Sequence, residues 1–576
     1  MRNTKNDASY DARNIKNGSK IPVEYYSDQP YVVKADDGAW VLVVTTGAGM
    51  EGDAGQHVIS MRSTDCGKTW TDVTDVESAN SPESSYAVLY KTSSGRIYCF
   101  YNFNADNTRS ILADDPPFKN GVTTRVDTQG HFVFKFSDDC GRSWSKNWYD
   151  IPLENFQVDL ENPYGGKIKF FWNVGKPFSY NGGVFVPQYK VGNFGEGFMY
   201  HSEGTLLFCQ NIETETNPEK LTWETFPKGG RGIRTDRAVS NISEEHSFVV
   251  LSDNSIFCTF RTVTGHPYCA YSRDGGVSFS EPEPLTYDNG RQVKHPRAAN
   301  FIWKCENGKY LYWYHNNGCR WYEERNPAWL CGAVEADSPQ GKILRFSQPE
   351  IVLYDDDINI RISYPDLIEA NGEYYITQTQ KQNAAVNHID KNLIEGLWAQ
   401  LENAGRVPKN AVTLENGSAM PYLQPFTVKD FEAEIDCRSK FINCGFTLDF
   451  DITGENGMLL STAENEKGIA VEQKDGQLIF SIGDGKFWCT KTTGENALSS
   501  GSHHVTIIVD GGPRIVMFVI DGVLYDGGNE QMFGFGWFNR YLSDINGAKD
   551  IKINNNAKNV KLYLKALTVS EAIALA

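Results

Sequence analysis

Three copies of one short motif constrain the fold of this chain more than any other feature. The sequence reads "STDCGKTW" at Ser63 to Trp70, "SDDCGRSW" at Ser137 to Trp144 and "SRDGGVSF" at Ser272 to Phe279. The shared pattern S-x-D-x-G-x-[S/T]-aromatic suits a hairpin turn, because aspartate bonds nearby backbone and glycine adopts a positive φ. The aspartates are 74 and 135 residues apart, which predicts one structural repeat and then about two.

The segments between these copies are pairs of strand-like runs separated by Gly or Asn, such as "YAVLYKTSSGRIYCFYNF" and "PDLIEANGEYYITQTQ". Repeated four-stranded sheets of this kind predict an all-β chain. We expect an N-terminal extension over residues 1–24 and a six-bladed β-propeller over residues 25–390. The one convincing helix pattern, "KNLIEGLWAQL" (Lys391 to Leu401), falls in a predicted linker of residues 391–409.

Residues 410–576 alternate apolar and polar side chains between Gly turns, as in "DFEAEIDCR" and "GIAVEQKDGQLIFSI". This pattern predicts a β-sandwich. The run "HHVTIIVDGGPRIVMFVIDGVLY" resembles the concanavalin-like and laminin-G-like sandwiches that are appended to many glycosidases. The resemblance implies a jelly-roll fold, and it leaves open whether this domain binds a glycan or is only structural.

The charge of the chain excludes two classes of partner. The 73 acidic and 55 basic residues give a net charge of −18, which repels nucleic-acid phosphates and anionic lipid. We therefore expect neither nucleic acid nor a membrane as a partner, and the oligomeric state stays open. The first residues have no apolar signal-peptide core, so a cytoplasmic location is expected, although a secreted chain with its leader removed would look the same.

The twelve cysteines show no CxxC or CxxH spacing. Disulfide frameworks are typical of much shorter chains, and zinc sites need clustered ligands, so we expect reduced and mostly buried thiols. We expect no metal ion and no organic cofactor.

The three motifs resemble the Asp boxes of the sialidase (neuraminidase) superfamily, and the order of strands between them is similar over roughly Tyr25 to Lys381. The resemblance implies a β-propeller. Asp boxes also occur in propellers without activity, so they predict the fold and not the reaction. Each active-site residue therefore has to be matched separately.

Three segments resemble those that carry the sialidase active site. "EHSFVVLSDNSIFCTFR" is similar to a segment running from a glutamate to an arginine. It implies that Glu245 is the base that polarises a tyrosine and that Arg261 belongs to a carboxylate-binding arginine triad. "RNPAWLCGAVE" implies the same role for Arg325, with Arg320 as the nearby alternative. "ISYPDLIEANGEYYITQTQ" is similar to the tyrosine hairpin and places Tyr364 at the nucleophile.

A loop in the first blade implies the catalytic acid. "GDAGQHVISMR" places Asp53 before the strand that leads into the first box, at a spacing similar to that of the family. Ordinary retaining glycosidases use two carboxylates, and sialidases with their tyrosine nucleophile are an exception. Their substrate carries a carboxylate on the anomeric carbon, and a neutral phenol avoids bringing two anions together.

The chain departs from the family pattern at its first strand. Two residues before Pro30, where sialidases have an arginine that binds the substrate carboxylate, stands Asp28. A carboxylate ligand at that point would meet a like charge and be repelled. Lys20, in "SKIP", lies too far from the following turn to replace the arginine. A second departure is Gln378, where the family has a glutamate.

Three further polar residues are candidates for substrate binding, namely His57, His295 and Arg297. Together with His315 and a tyrosine they are also similar to the groups of propeller lyases that cleave uronates. The sequence thus predicts an exo-acting glycoside hydrolase of the sialidase superfamily acting on a glycan or glycoconjugate, whose substrate is either a non-standard sialic acid or another sugar. A polysaccharide lyase and a non-catalytic glycan-binding protein are the alternatives.

Overall fold

The computed structural model describes residues 11–423, 445–494, 496–539 and 541–576, and it confirms the all-β prediction. These residues form three short α-helices, at Gln157–Glu161, Lys391–Leu401 and Val569–Ile573. Single 3-10 turns lie at Ile15–Asn17, Lys119–Gly121, Val126–Thr128 and Pro218–Lys220. None of the described helices is long and apolar enough to cross a membrane.

Six antiparallel sheets of four or five strands follow one another along the chain and form the β-propeller. The first sheet contains the strands Tyr26–Lys34, Trp40–Gly47, His57–Ser63 and Thr71–Glu77. The second contains Ser84–Lys91, Ile97–Phe103, His131–Ser137 and Tyr149–Asp150. The third contains Phe170–Trp172, Phe178–Tyr180, Gly183–Val191, Glu203–Cys209 and Trp223–Phe226. The fourth has Glu244–Val250, Ile256–Arg261, Tyr268–Ser272 and Glu283–Pro284; the fifth, Phe301–Lys304, Tyr310–Tyr314, Ala328–Ser338, Gly341–Phe346 and Glu350–Leu353; the sixth, Ser363–Ala370, Glu373–Thr379, Ala384–Ile389 and Ser19–Ile21.

The sixth sheet joins the two ends of the propeller. Its strand Ser19–Ile21 comes from the segment predicted as an N-terminal extension, and it pairs antiparallel with Ala384–Ile389. Two small hairpins project from the sheets, one formed by Ile111–Leu112 and Val122–Thr123, the other by Asn193–Gly195 and Phe198–Tyr200.

The three Asp boxes form turns with one shared set of hydrogen bonds. In the second box, Asp139 accepts from the hydroxyl of Ser137 at 2.7 Å and from both the N–H and the hydroxyl of Ser143, at 2.9 and 2.6 Å. Gly141, at φ +80°, lies so close to Val41 that a Cβ would come within 2.6 Å of its methyl. Glycine is needed here both for the turn and for the contact with the neighbouring strand.

The predicted helix is confirmed over Lys391–Leu401. Asp390 caps its first turn by accepting from the N–H of Asn392 at 2.9 Å. Its buried side chains lie on one face, where the indole N–H of Trp398 donates to the carbonyl of Tyr310 at 2.8 Å. The helix is therefore held against the fifth sheet.

Two further sheets form the C-terminal β-sandwich around a separate apolar core. One sheet contains Val412–Thr413, Gly445–Thr453, Ser502–Asp510, Ile515–Ile520, Val523–Leu524, Gly536–Trp537 and Ala557–Tyr563, and the other contains Gly457–Ser461, Lys467–Lys474, Gln477–Asp484, Trp488–Thr492 and Lys552–Ile553. The strand predicted from "DFEAEIDCR" lies outside the described residues. Arg13 joins the two domains by donating to Asp510 at 2.6 and 3.0 Å.

Candidate active site

The hydroxyl of Tyr364 donates a hydrogen bond of 2.9 Å to the carboxylate of Glu245, 119 residues away in the chain. Both side chains are buried, with exposures of 7% and 2%. Burial and the adjacent Glu245 raise the pKa of Tyr364, whereas Lys381 and Arg261 oppose this shift. Burial also raises the pKa of Glu245, so this carboxylate is biased towards accepting a proton. The pair predicted from sequence is thus brought together.

Both residues lie at β-bulges where the backbone adopts a positive φ. Tyr364 has a φ of 48° and Glu245 of 55°, and the strand register shifts at each position. The first and second sheets have the same feature at Gln29 and Tyr86, with φ values of 53° and 57°. Such conformations are costly for non-glycine residues and occur where a side chain has to be aimed away from the regular pleat. The first strands of four sheets therefore carry a bulge with one residue at positive φ, and in the fourth and sixth sheets that residue is Glu245 or Tyr364.

Glu244 organises the arginines on one side of Tyr364. Its fully buried carboxylate accepts from Arg261 at 2.8 and 3.0 Å and from Arg297 at 3.0 and 3.2 Å. Burial alone would raise the pKa of Glu244, but Arg297 and Arg261 hold it below its ordinary value. Arg261 also pairs with Glu245, with 2.6 Å between Nη1 and Oε2. Both arginines are therefore occupied by carboxylates of the protein itself.

Arg325 differs from these two arginines. It donates to the hydroxyl of Ser363 at 2.9 Å and to the carbonyl of Arg297 at 3.2 Å. Its Nε is buried without a hydrogen-bond partner, and no carboxylate of the described residues lies within ion-pair distance. Burial and the neighbouring Arg261 lower its pKa. Its positive charge is the least compensated of the site, and an anionic ligand would compensate it.

Asp28 lies in the site, and its charge is neutralised by a lysine that sequence analysis had not identified. The carboxylate is 1% exposed and accepts from Lys381 at 2.7 Å, from the hydroxyl of Tyr26 at 2.8 Å and from the N–H of Gln29 at 3.1 Å. Burial raises the pKa of Asp28, and Lys381 opposes this shift. The repulsion expected between Asp28 and a carboxylate ligand therefore needs correction, because the ammonium group of Lys381 lies beside it.

The loop predicted to carry the acid contributes two carboxylates. Asp53 is exposed and accepts a hydrogen bond of 2.7 Å from the N–H of Met50. Glu51 lies 3.4 Å from both Lys381 and Arg125. Although burial opposes ionisation, these two cations lower the pKa of Glu51 to about 2. Glu51 is thus a carboxylate at neutral pH, and the acid role of Asp53 stays a prediction.

The remaining predicted binding residues contact other parts of the protein. His57 bonds to the carbonyl of Gly55 at 2.8 Å. Nε2 of His295 lies 2.7 Å from the carbonyl of Ala298, and burial lowers its pKa to about 3. Gln378 donates to Asn387 at 3.3 Å. None of these contacts joins Tyr364 or Glu245, and binding roles for these three residues stay predictions.

The described charges of the site are balanced. The site contains five cations, Arg125, Arg261, Arg297, Arg325 and Lys381, and five anions, Asp28, Glu51, Asp127, Glu244 and Glu245, and each of these cations except Arg325 contacts at least one of these anions. The described residues hold no group of three or more His, Cys, Asp or Glu side chains placed to bind a metal ion. The arrangement can remove a proton from a phenol and bind an anion beside it.

No model of a known protein family matches this chain, and no curated protein matches it in sequence. Solved structures do resemble it. A protein of unknown function from Dyadobacter fermentans has 16% identity over 65% of this chain and 97% of its own, with a TM-score of 0.45. The intramolecular trans-sialidase of Ruminococcus gnavus, in complex with oseltamivir carboxylate, has 14% identity over 67% and 99%, with a TM-score of 0.43. Trypanosoma rangeli sialidase has 13% identity over 98% and 97%, with a TM-score of 0.40.

The structural neighbours include sialidases and trans-sialidases. With identities of 13–16% and TM-scores of 0.40–0.45, these likenesses carry no argument about this chain, whose activity has to be inferred from its own residues.

Sequence reasoning missed Lys381, Glu244 and Glu51. Glu244 stands directly before a predicted residue, in "SEEHSF", and two adjacent glutamates at a bulge were a usable signal. Lys381 follows "TQTQ" at the end of the tyrosine hairpin. Its partner Asp28 is 353 residues away, so nothing in its local sequence indicated the pair.

Proposed function

We propose that this chain is a retaining, exo-acting glycoside hydrolase that uses Tyr364 as its nucleophile and acts on a glycan or glycoconjugate. The observation that carries the proposal is the buried hydrogen bond of 2.9 Å between Tyr364 and Glu245. A phenol is a weak nucleophile unless a base accepts its proton during attack. Glu245, whose pKa is raised by burial, is such a base.

In the first step the phenolic oxygen of Tyr364 bonds to the anomeric carbon while its proton passes to Glu245. The glycosidic C–O bond breaks, and Asp53 gives a proton to the leaving oxygen. In the second step Asp53 takes a proton from a water molecule that attacks the same carbon. The bond to Tyr364 then breaks, and Glu245 returns the proton. Two inversions at one carbon give net retention.

The surrounding charges support this chemistry. Arg261 contacts the Oε2 atom of Glu245, whose other oxygen accepts from Tyr364, so the carboxylate is fixed for proton transfer. Lys381 and Arg261 both favour the phenolate form, because they oppose the upward shift in the pKa of Tyr364. Preorganised charges of this kind are typical of sites where a charge develops during reaction.

The proposal is tested with a panel of aryl glycosides that includes an aryl sialoside, followed by proton NMR of the first-formed anomer. We expect release of a sugar with its anomeric configuration retained. Tyr364→Phe should lower kcat/KM by at least roughly 10³-fold. Tyr101→Phe is the matched control, since Tyr101 is fully buried and donates to Glu77 at 3.0 Å, yet lies outside the site.

Three results would reject the hydrolase. No sugar released across the panel, with binding intact, would indicate a glycan-binding protein. An ultraviolet-absorbing unsaturated product would indicate a lyase. Turnover that is equal in Tyr364→Phe and Tyr101→Phe would exclude Tyr364 as the nucleophile.

A further inference from the structure

One loop of the C-terminal sandwich reaches the propeller next to the segments that carry two arginines of the candidate site. This sandwich loop spans residues 525–535, between the strands Val523–Leu524 and Gly536–Trp537. The ring of Phe535, at its end, packs against Trp329 of the fifth sheet, with 5.5 Å between the ring centres. Both rings belong to one apolar cluster that contains side chains of the two domains, and this packing holds the loop against the fifth sheet.

Lys294 of the propeller is bound by the backbone of the sandwich loop. Its ammonium group donates to the carbonyls of Asp526 and Gln531, at 2.8 Å each, and to the carbonyl of Gly528. An ammonium group has three N–H donors, so the loop uses all of them. Burial lowers the pKa of this lysine, and the nearby carboxylate of Asp526 opposes that shift. Lys294 therefore joins the two domains and has no donor left for a ligand.

A second contact joins the sandwich loop to the segment that leads to Arg325. The N–H of Gly318 donates to the carbonyl of Met532 at 2.9 Å. Gly318 begins the segment of residues 318–325, which follows the strand Tyr310–Tyr314 and ends at Arg325. The loop thus contacts the chain shortly before both arginines, at Gly318 before Arg325 and at Lys294 before Arg297.

These two segments are also bonded to each other. The N–H of Arg297 donates to the carbonyl of Trp321 at 2.9 Å. The guanidinium group of Arg325 donates to the carbonyl of Arg297 at 3.2 Å. The sandwich loop therefore acts on one hydrogen-bonded unit that contains both arginines.

This unit holds the base of the proposed reaction through a series of charges. The side chain of Arg297 donates to Glu244 at 3.0 and 3.2 Å, and the same carboxylate accepts from Arg261. Arg261 lies 2.6 Å from Glu245, whose other oxygen accepts from Tyr364. A displacement of about 1 Å in such an assembly is enough to lower a rate about 100-fold. The position of Arg297 therefore matters for the reaction.

We propose that Lys294 is a positioning residue of the active site, through which the C-terminal sandwich holds Arg297 and Arg325 in place. The inference rests on the proposed function and goes beyond it, because it makes the sandwich a part of the catalytic unit. Lys294 acts through the two arginine segments and not by contact with the reacting groups, since its three donors are bound by the loop.

The first measurement is hydrogen–deuterium exchange of the full chain, read by mass spectrometry on peptides that cover residues 294–297 and 318–325. Lys294→Met keeps most of the apolar side chain and removes the ammonium group. The N–H groups of Arg297 and Gly318 should then exchange at least roughly tenfold faster than in the wild type, because local opening of both segments becomes easier.

The second measurement is kcat for the aryl glycoside that the wild type hydrolyses fastest, at equal concentrations of folded protein. Lys294→Met should lower kcat roughly 10- to 100-fold. A loss of stability alone would change only the amount of folded protein. Lys294→Arg keeps the charge and still has donors for the carbonyls, so it should lose less than Lys294→Met.

Arg13→Met is the matched control. Arg13 donates to Asp510 at 2.6 and 3.0 Å, so this change breaks an ion pair between the same two domains. Among the described residues, no printed hydrogen bond or ion pair joins Arg13 to the sandwich loop or to the two arginine segments. Exchange at these segments and kcat should both stay within about twofold of the wild type.

A variant on the sandwich side gives an independent test. Lys491 donates to Oε1 of Gln531 at 3.0 Å and to the carbonyl of Phe533 at 3.4 Å, so Lys491→Met loosens the loop without changing the propeller. It should raise exchange and lower kcat in the same way as Lys294→Met, although less strongly. If Lys294→Met does not fold, this variant takes its place.

Three results would overturn the inference. Exchange at both segments could be as slow in Lys294→Met and Lys491→Met as in the wild type. The kcat could be unchanged although exchange is faster, or it could fall equally in Lys294→Met and Arg13→Met. A wild type without turnover, with faster exchange at both segments in Lys294→Met, would reject the proposed hydrolase and retain the coupling of the sandwich loop to the two arginine segments.

Discussion

Replacing Glu244 by Gln should destabilise the propeller far more than the same change at its neighbour Glu245. The carboxylate of Glu244 is fully buried and receives four N–H groups from Arg261 and Arg297. An amide keeps the shape but loses the charge, and its NH₂ group faces one of the two guanidinium groups. Breaking a buried ion pair from one side costs about 3–5 kcal/mol, because the partner charge remains buried.

The contributions of the two glutamates to stability should also change with pH in opposite directions. The pKa of Glu244 lies below its ordinary value, so the stability it contributes is present above the unfolded pKa and is lost as the pH falls. The difference in the free energy of unfolding between wild type and Glu244→Gln should therefore become smaller at acidic pH. The pKa of Glu245 is raised, so its charged form disfavours folding and Glu245→Gln should cost less stability. It should instead lower turnover by roughly 10²- to 10⁴-fold.

Equilibrium urea unfolding, followed by tryptophan fluorescence, measures the loss of stability in each variant and its dependence on pH. The unfolding curves have to be checked for separate transitions of the two domains. Circular dichroism of the folded state gives the control for misfolding. A Glu244→Gln variant within about 1 kcal/mol of wild type would contradict the assigned role of Glu244 as the charge that holds two buried arginines. A larger loss of stability in Glu245→Gln than in Glu244→Gln would contradict the distinction between the two residues.

Three other changes have expected outcomes. Asp139→Ala removes the acceptor of four hydrogen bonds in an Asp box and should cost about 1–2 kcal/mol in urea unfolding, whereas the adjacent and exposed Asp138→Ala should cost less. Glu350 accepts hydrogen bonds from the N–H groups of Val569 and Ser570, and burial raises its pKa to about 7, so its contribution to stability should be lost as the pH rises through 7. If the Tm of the wild type falls no more steeply with rising pH than the Tm of Glu350→Gln, this expectation is refuted. His504 pairs with Asp449 and Asp451, and both carboxylates raise the pKa of its imidazole. The difference in Tm between wild type and His504→Asn should therefore be largest below about pH 6.5, and it should vanish as the pH rises above this raised pKa.

The local sequence pattern was sufficient to predict much of the fold. The Asp boxes and the hairpins are encoded by residues close together in the chain, and the structure has turns and strand pairs at those positions. Tyr364, Glu245 and Arg261 could be placed because each lies at a countable distance from such a turn. The helix Lys391–Leu401 was predictable for the same reason, since its cap and apolar face are local.

The charge partners could not be predicted in this way. Lys381 and Asp28 meet across 353 residues, and their pairing depends on how the first and last sheets are joined. Glu51 and Asp53 lie in one loop, and only the folded loop shows which of the two faces Lys381. His295 has the residue type of a catalytic base, but its ring contacts the carbonyl of Ala298 and burial lowers its pKa to about 3. The resemblance to a family supplied Tyr364 as the candidate nucleophile, whereas the charged partners around it come from residues far apart in the chain.

The central claim is that Tyr364 forms a covalent bond to the substrate. The most direct measurement is mass spectrometry of the intact protein and of its peptides after reaction with 2,3-difluorosialic acid, whose fluorine substituents slow the second step. We expect one glycosyl adduct, located on the peptide that contains Tyr364 and absent from Tyr364→Phe. An adduct on a different residue, or hydrolysis of an aryl sialoside with no adduct at Tyr364, would contradict the claim.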